Sequence, residues 1–514
     1  MNPDPNRPSF VIVMTDTQGT NACGAYGNAE ALRTPHLERL AAQGIRFEYA
    51  YTTAPVCTPA RSGLFTGVHP CKSGAWSNSM SQYDNIKTMG QRFRDEGYHT
   101  AYIGKWHLDG HDYFGTGECP DGWDPDYWYD GLNYIHDLGP GGVDLWRTKL
   151  KSVDSLRDHE VTRDFTWAGG ITDRAVRFLE SASQGDKPFV LVVSYDEPHA
   201  PFTCPPEFAE PFRDYWHELG ASAEDNLAQK PNHQKEWSET NINKLNIDEG
   251  RLNHPLYFGC NSFVDSEIGR VLDAVDTHIP DQAAVLYTSD HGDMLGAHQL
   301  TGKGPVMYDD ITRIPLLVQL PEGRHAGFVS RTIASHVDIL PTLLDMAGVE
   351  RPSSLDGESL KPVLCDREEN QDKAAFIEFD RFEISNDSLG GFFPIRAIRK
   401  GNMKLVINLL DADELYDLDA DAAELVNLIN DPSQEAARNQ LHDELMAWMH
   451  ERRDPFRSPK WERRPWRDSQ QYGWWGDYRL IPQDGYITDV RDYFTGKIMT
   501  HGAETDRKGS SANN

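Results

Sequence analysis

Five short, unbroken apolar runs punctuate the first two thirds of the chain: Phe10–Met14, His99–Ile103, Phe189–Ser194, Ala284–Ser289 and Ile314–Gln319. Unbroken runs of this length suit strands covered on both faces rather than strands with one wet side. The segments between them carry helical spacing. Thr34–Ala42 offers Thr34 as N-cap with Pro35 at the first helical position, and Asp265–Asp276 repeats apolar residues at intervals of three and four. Strands alternating with helices predict an α/β sheet with helices on both faces. Ligands in such sheets bind beyond the carboxyl ends of the strands. Four of the runs end there in reactive residues: Asp16; Lys105-Trp106-His107; Asp196-Glu197-Pro198-His199; and Asp290-His291.

Past Asp366 the pattern changes. A charged linker leads to short strands and a helix at Gln434–Arg452, which predicts a small antiparallel sheet with one helix. From Pro455 the chain is rich in Trp, Arg and Pro and too poor in aliphatics for a core of its own. The expected organisation is a catalytic α/β domain over 1–370, a small α+β domain over 371–455, and a tail over 456–514 that wraps the fold or a partner subunit of a homo-oligomer. Fifty Lys+Arg against eighty Asp+Glu give a formal charge of −30. That balance excludes bulk binding to nucleic acid or to an anionic membrane surface, and it requires any anionic substrate to find a locally positive pocket. No apolar run has membrane-spanning length. The first sixteen residues lack a basic segment followed by a leader-length apolar stretch, and seven scattered cysteines form no CxxC pair. A cytoplasmic protein without a disulfide framework is therefore expected.

The most specific motif is Pro55-Val56-Cys57-Thr58-Pro59-Ala60-Arg61-Ser62-Gly63. It resembles the signature of the formylglycine-dependent sulfatases of the alkaline phosphatase superfamily, a Cys (or Ser) followed by x-Pro-x-Arg at the start of a helix. The resemblance extends through Gly104-Lys105-Trp106-His107, Ser289-Asp290-His291-Gly292-Asp293 and His336–Leu343 to Glu414–Leu418. It implies an alkaline-phosphatase-like large, mostly parallel mixed sheet between helices, plus a small C-terminal antiparallel sheet with one helix. It also implies that a maturation enzyme oxidises Cys57 to formylglycine. The hydrated aldehyde offers one oxygen to attack sulfur and a second hydroxyl whose loss of a proton expels sulfate.

By the same resemblance Asp16, Asp290 and His291 hold a divalent metal, with Gln18 as fourth ligand and Thr17 as its competitor. Ca²⁺ is the first expectation, and Mn²⁺, Mg²⁺ or Zn²⁺ are compatible with the imidazole. Arg61 positions the nucleophile, Lys105 binds sulfate oxygens, His107 takes the proton during collapse, and His199 and Lys303 contact sulfate and serve the leaving oxygen. For substrate contact, Asn78, Trp76 and Trp106 stand near the signature residues, and the aromatic loop Gly110–Tyr134 is either a carbohydrate-lining loop or one packed on its own rings. The implied reaction is hydrolysis of a sulfate monoester of a small sugar fragment or aryl alcohol. Its rivals are a phosphonate monoester hydrolase on the same scaffold and a non-catalytic anion- or carbohydrate-binding protein with an unmatured Cys57.

Overall fold

The computed structural model describes residues 7–27, 32–241, 245–384 and 391–467. The elements named here belong to one compact unit, Met1–Trp461; a second unit, Glu462–Asn514, is described only as far as residue 467. Most of the tail expected to wrap the fold or a partner, from residue 468 on, therefore lies outside the described residues.

The elements that matter for the site are β1 (Ser9–Thr15), α1 (Pro35–Gln43), β2 (Ile45–Phe47), α2 (Cys57–Thr66), β3 (His99–Gly104), α3 (Trp167–Ala182), β4 (Phe189–Ser194), α4 (Pro255–His278), β5 (Ala283–Ser289), β6 (Leu316–Gln319) and β7 (Phe328–Ser330). They form a seven-stranded sheet in the order β7-β2-β6-β5-β1-β4-β3. Every pairing is parallel except the two made by β6, which runs against β5 and β2. Each strand's alternate residues feed two cores. Val11 and Val13 face Leu37 of α1, Ile171 of α3 and Ile268 of α4, while Phe10, Ile12 and Met14 face Leu64 and Phe65 of α2 on the other side. Each such buried aliphatic or aromatic side chain contributes roughly 1.5–3 kcal/mol through the hydrophobic effect. This double burial is why the strands read as continuous apolar runs.

Thr34 does stand at the N-cap of α1, but its hydroxyl instead accepts from Gly24 N–H at 2.9 Å. The helix start is capped from a distance: Asp265 of α4 accepts from His36 N–H (3.1 Å) and Leu37 N–H (3.0 Å). Burial and these contacts with a helix N-terminus oppose each other at Asp265, and burial prevails, pushing its carboxyl up to about 7.

Beyond the large sheet, β8 (Ala374–Arg381), β9 (Phe392–Lys400), β10 (Met403–Asn408) and β11 (Glu414–Asp417) pair antiparallel in chain order, and α5 (Glu435–Glu451) packs on them. Trp448 of α5 stacks on Phe376 of β8 with centroids 4.9 Å apart. The fold is the alkaline-phosphatase-like arrangement expected from the sequence. All seven cysteines are free, and among the described residues no helix is long and apolar enough to cross a membrane.

Strand register levels the reactive ends. Thr15 pairs with Ser289, Met14 with Ser194, and Gly104 with Ser194, so β1, β3, β4 and β5 all stop at one edge. Gly104 has φ +115°, and a Cβ there would lie 1.9 Å from Ser194 O. Only glycine lets β3 turn out so tightly that Lys105 follows at once.

Candidate active site

Asp16, Lys105, Asp196 and Asp290 leave this edge directly, and α2 brings Cys57 over it. Cys57 opens α2 and is 1% exposed. Its Sγ lies 3.4 Å from Asp16 Oδ2, 3.3 Å from His291 Nε2 and 2.6 Å from Lys303 Nζ. One ligand atom each from Asp16, Cys57, Asp290 and His291 falls within 4.8 Å of all the others, and all four residues are buried. His291 Nδ1 is 2.8 Å from Gly292 O and so carries a proton, while Nε2 points into the cluster, 3.7 Å from Asp16 Oδ1 and 3.8 Å from Asp290 Oδ1.

Three permanent cations face three carboxylates here. Lys105 Nζ donates to Asp16 and, at 3.1 Å, to Asp196. Lys303 Nζ is 3.8 Å from Asp16 Oδ1. Arg61, one turn along α2 from Cys57, donates from Nε to Asp290 (2.9 Å) and from Nη1 to Lys105 O (2.7 Å) and Ser194 Oγ (2.9 Å). Its Nη2 is buried without a hydrogen bond, 3.7 Å from Asp16. Arg61 thus braces the acids around Cys57, and no hydrogen bond joins it to Cys57 itself.

The titration of the site follows from this crowding. Burial pushes Asp16 up, but Lys105, Lys303 and nearby histidines hold it well below the usual carboxylate range. Burial and Asp16 oppose a Cys57 thiolate, yet Lys303, Lys105 and His291 together bring the thiol below its ordinary value. Burial, then Lys105 and Arg61, drops His107 to about 3, so it stands neutral. Burial and Lys303 also hold His199 well below the ordinary histidine range.

Lys105 and His107 both reach the site, His107 through left-handed backbone, φ +60°, with its Nδ1 buried and unpartnered. Asn78 Oδ1 accepts from Thr58 N–H at 3.0 Å, supplying the side-chain cap that Val56, as N-cap of α2, does not make. Lys303 returns to Cys57 because Asp293 Oδ1 accepts from Leu295 N–H (2.9 Å) and Gly302 N–H (3.0 Å), closing the loop between them.

Comparisons with known proteins name the family. Residues 8–349 match the sulfatase family, and residues 296–451 match the family described as N-sulphoglucosamine sulphohydrolase, C-terminal. The chain is 49% identical to the uncharacterized sulfatase YidJ of Escherichia coli (strain K12), over 98% of this chain and 99% of that one.

The chain belongs to the sulfatase family.

It is accordingly a sulfuric ester hydrolase. It is 30% identical to a choline-sulfatase of Rhizobium meliloti (strain 1021), with 83% of each chain covered. In fold it resembles the structure of BT4656 in complex with its substrate D-glucosamine-2-N,6-O-disulfate, with a TM-score of 0.71, 24% identity, and 88% of this chain and 99% of that chain covered.

The structure places three of the expected residues away from the Asp16–Asp290 cluster. Gln18 is not directed at the Asp16–Asp290 cluster: its Nε2 donates to Asn261 Oδ1 at 2.5 Å, and its Oε1 accepts from Tyr287 Oη. Both amide ends are committed elsewhere, whereas the Thr17 hydroxyl next to it is buried with no partner. Trp106 does not line a subsite. Flanked by two side chains that reach the site, it turns the other way, 3% exposed, into rings of Tyr102 (4.9 Å), Phe65 (5.6 Å), Trp128 (6.1 Å) and Trp123 (6.2 Å). Trp76 packs edge-on against Phe456 (5.3 Å) and Phe392 of β9 (6.5 Å), and no contact joins it to the cluster.

Sequence reasoning missed Tyr113. Its ring lies 3.9 Å from Lys105 Nζ, and its hydroxyl meets Asp196 and His199. The signal was the aromatic loop 110–134, but nothing in that loop's composition singles out one ring. Glu197 was read only as part of its strand end. It is fully buried, accepts from Ala168 N–H near the start of α3 at 2.9 Å, and is raised by burial and then by Asp196 to about 8.

Proposed function

We propose that this sulfatase hydrolyses sulfate monoesters of small sugars or aryl alcohols, with Cys57 matured to formylglycine beside a divalent cation held by Asp16, Asp290 and His291. The observation that carries the reading is the convergence of these three side chains on the Cys57 sulfur. The donor set fits the ion: two carboxylates supply hard oxygens, and the carbonyl of Gly292 fixes the His291 tautomer that leaves Nε2 free to ligate. Thr17, with its unpartnered hydroxyl, is the better candidate for a further oxygen than Gln18. Two carboxylates favour Ca²⁺, while the imidazole admits Mn²⁺, Mg²⁺ or Zn²⁺.

When bound, the cation supplies Lewis-acid polarisation of a sulfate oxygen and stabilises negative charge on the position-57 oxygen. Formylglycine, made from Cys57 by a maturation enzyme, supplies an oxygen nucleophile and a second hydroxyl that permits release of sulfate. The remaining work falls to the chain's own side chains. The three cations Arg61, Lys105 and Lys303 already balance Asp16, Asp196 and Asp290, so the charge of a bound divalent ion is left over to attract an anion. This is the locally positive pocket that a chain of −30 requires. Lys303, at the Cys57 sulfur, holds a sulfate oxygen. Lys105 retains one ammonium hydrogen beyond its two carboxylates for another. His107, neutral and with Nδ1 unpartnered, accepts the hydroxyl proton, and His199 gives one to the leaving oxygen.

Lys303, His199 and Tyr113 are the site residues that reach the surface, whereas Asp16, Arg61, Asp290 and His291 are fully buried. Comparing kcat/KM for 4-nitrophenyl sulfate and 4-nitrophenyl phenylphosphonate tests the reading. A preference for the sulfate of at least about tenfold is expected. A preference for the phosphonate would replace the reading with a phosphonate monoester hydrolase. A screen of sulfated monosaccharides then names the substrate.

A further inference from the structure

Tyr113 enters the site from the loop after β3 and makes three polar contacts at once. Its hydroxyl donates to Asp196 Oδ1, lies 3.0 Å from His199 Nδ1, and its ring lies 3.9 Å from the Lys105 ammonium. His199 Nδ1 is also 2.8 Å from Ala200 O. A carbonyl oxygen can only accept, so Nδ1 carries a proton, shared between Ala200 O and Tyr113 Oη. The phenol hydrogen is already committed to Asp196, which leaves the Tyr113 oxygen free to accept. Among the described residues no hydrogen bond is made by His199 Nε2.

We propose that Tyr113 is a positioning residue for ester cleavage: it locks His199 in the Nδ1–H form, aims Nε2 at the leaving oxygen, and couples the imidazole to the Asp196 charge. This inference rests on the role proposed above for His199. Burial and Lys303 hold free His199 neutral; the negative charge of a sulfate ester bound between it and the lysines lets Nε2 take up a proton from solvent, so His199 enters the step as the imidazolium, with a proton on each nitrogen. A bond forms to sulfur from the position-57 oxygen, which attacks as the alkoxide after its own proton has left to solvent, while the bond from sulfur to the ester oxygen breaks. The electron pair of the broken bond stays on the ester oxygen, which takes the Nε2 proton. His199 is left neutral with its Nδ1 proton still held by Ala200 O and Tyr113 Oη, and solvent later returns the Nε2 proton. Beside two lysines, an imidazolium needs compensating negative charge, and the Asp196–Tyr113 pair supplies it from behind. Lys105 packs on the same ring, so one side chain sets the place of both a sulfate-binding cation and a proton donor.

The test uses two esters of similar shape, 4-nitrophenyl sulfate, whose leaving group departs without a proton, and phenyl sulfate, whose leaving group needs one. Tyr113→Phe keeps the ring and removes only the hydroxyl. It should lower kcat/KM for phenyl sulfate by about tenfold or more and leave 4-nitrophenyl sulfate within about twofold, since proton transfer by a placed side chain carries factors of this order. In a His199→Gln background the same substitution should no longer change the ratio of the two substrates. Equal loss on both esters, or no loss on either, would overturn the proposal. Should Tyr113→Phe not fold, nitrogen NMR of histidine-labelled wild type decides: neutral His199 protonated on Nδ1 supports the proposal, and protonation on Nε2 refutes it. Wild type that hydrolyses neither ester would instead overturn the sulfatase mechanism on which the inference stands.

Discussion

Arg61 Nε donates to Asp290 Oδ2 at 2.9 Å, and both side chains are fully buried. Because Arg61 also binds Lys105 O and Ser194 Oγ, one guanidinium fastens the first turn of α2 to residues at or just beyond the ends of β3, β4 and β5. The Cys57 side chain is held over the sheet edge by this brace. A lysine keeps the charge but loses the fork that makes three directed bonds. Arg61→Lys should therefore destabilise the protein by about 1–3 kcal/mol, the cost of leaving buried acceptors without a donor. Urea unfolding measures it, and an unchanged midpoint would show that the brace is dispensable.

Chelation should uncouple activity from the fold of the large sheet. Removing divalent ions is expected to abolish turnover and lower Tm, with Ca²⁺ restoring both; a ligand at about a hundred times its Kd adds about 2.7 kcal/mol of stability. Full turnover by protein shown to be metal-free by elemental analysis would exclude a cation at Asp16, Asp290 and His291.

Glu197 gives a signature in pH. Burial, followed by Asp196, raises its carboxyl from 4.5 to about 8. The folded chain therefore holds one more proton than the unfolded chain between those limits. Stability from this group is complete below pH 4.5 and is lost as the pH rises through about 8. Glu197→Gln removes that titration while retaining an acceptor for Ala168 N–H. The difference in stability between variant and wild type should shift in favour of the variant across this window, by about 1.4 kcal/mol per pH unit. A difference independent of pH would mean that Glu197 is ionised in the folded protein.

Much of the site was legible because α/β chemistry sits at strand ends, and strand ends can be read from apolar runs. Asp16, Lys105, Asp290 and His291 were found that way, and the CxPxR motif placed Cys57 and Arg61 on one helix face. Gln18 was misplaced because nothing in the sequence reveals that Tyr287 and Asn261, from β5 and α4, take both ends of its amide. Trp106 was misassigned for proximity alone, although a residue between two site-facing neighbours has the opposite face available to it. Tyr113 stayed hidden because its position depends on how a 25-residue loop closes, which is set by tertiary contacts and not by local pattern.

The burial of Trp106 converts into a prediction of its own. Trp106→Ala should cost about 3–5 kcal/mol of stability, as aromatic-to-alanine changes in cores do, while KM for an aryl sulfate in the folded fraction changes little. A large rise in KM with normal stability would return Trp106 to the substrate.

The most direct measurement is the mass of the peptide containing Cys57, taken from enzyme that is turning over an aryl sulfate. Conversion of the thiol to the aldehyde lowers that mass by about 18 Da, and hydration largely restores it, so the aldehyde is trapped with a hydrazide before digestion. The account predicts a trapped carbonyl at position 57 in proportion to specific activity. A fully active preparation whose Cys57 peptide carries only an intact thiol would contradict it.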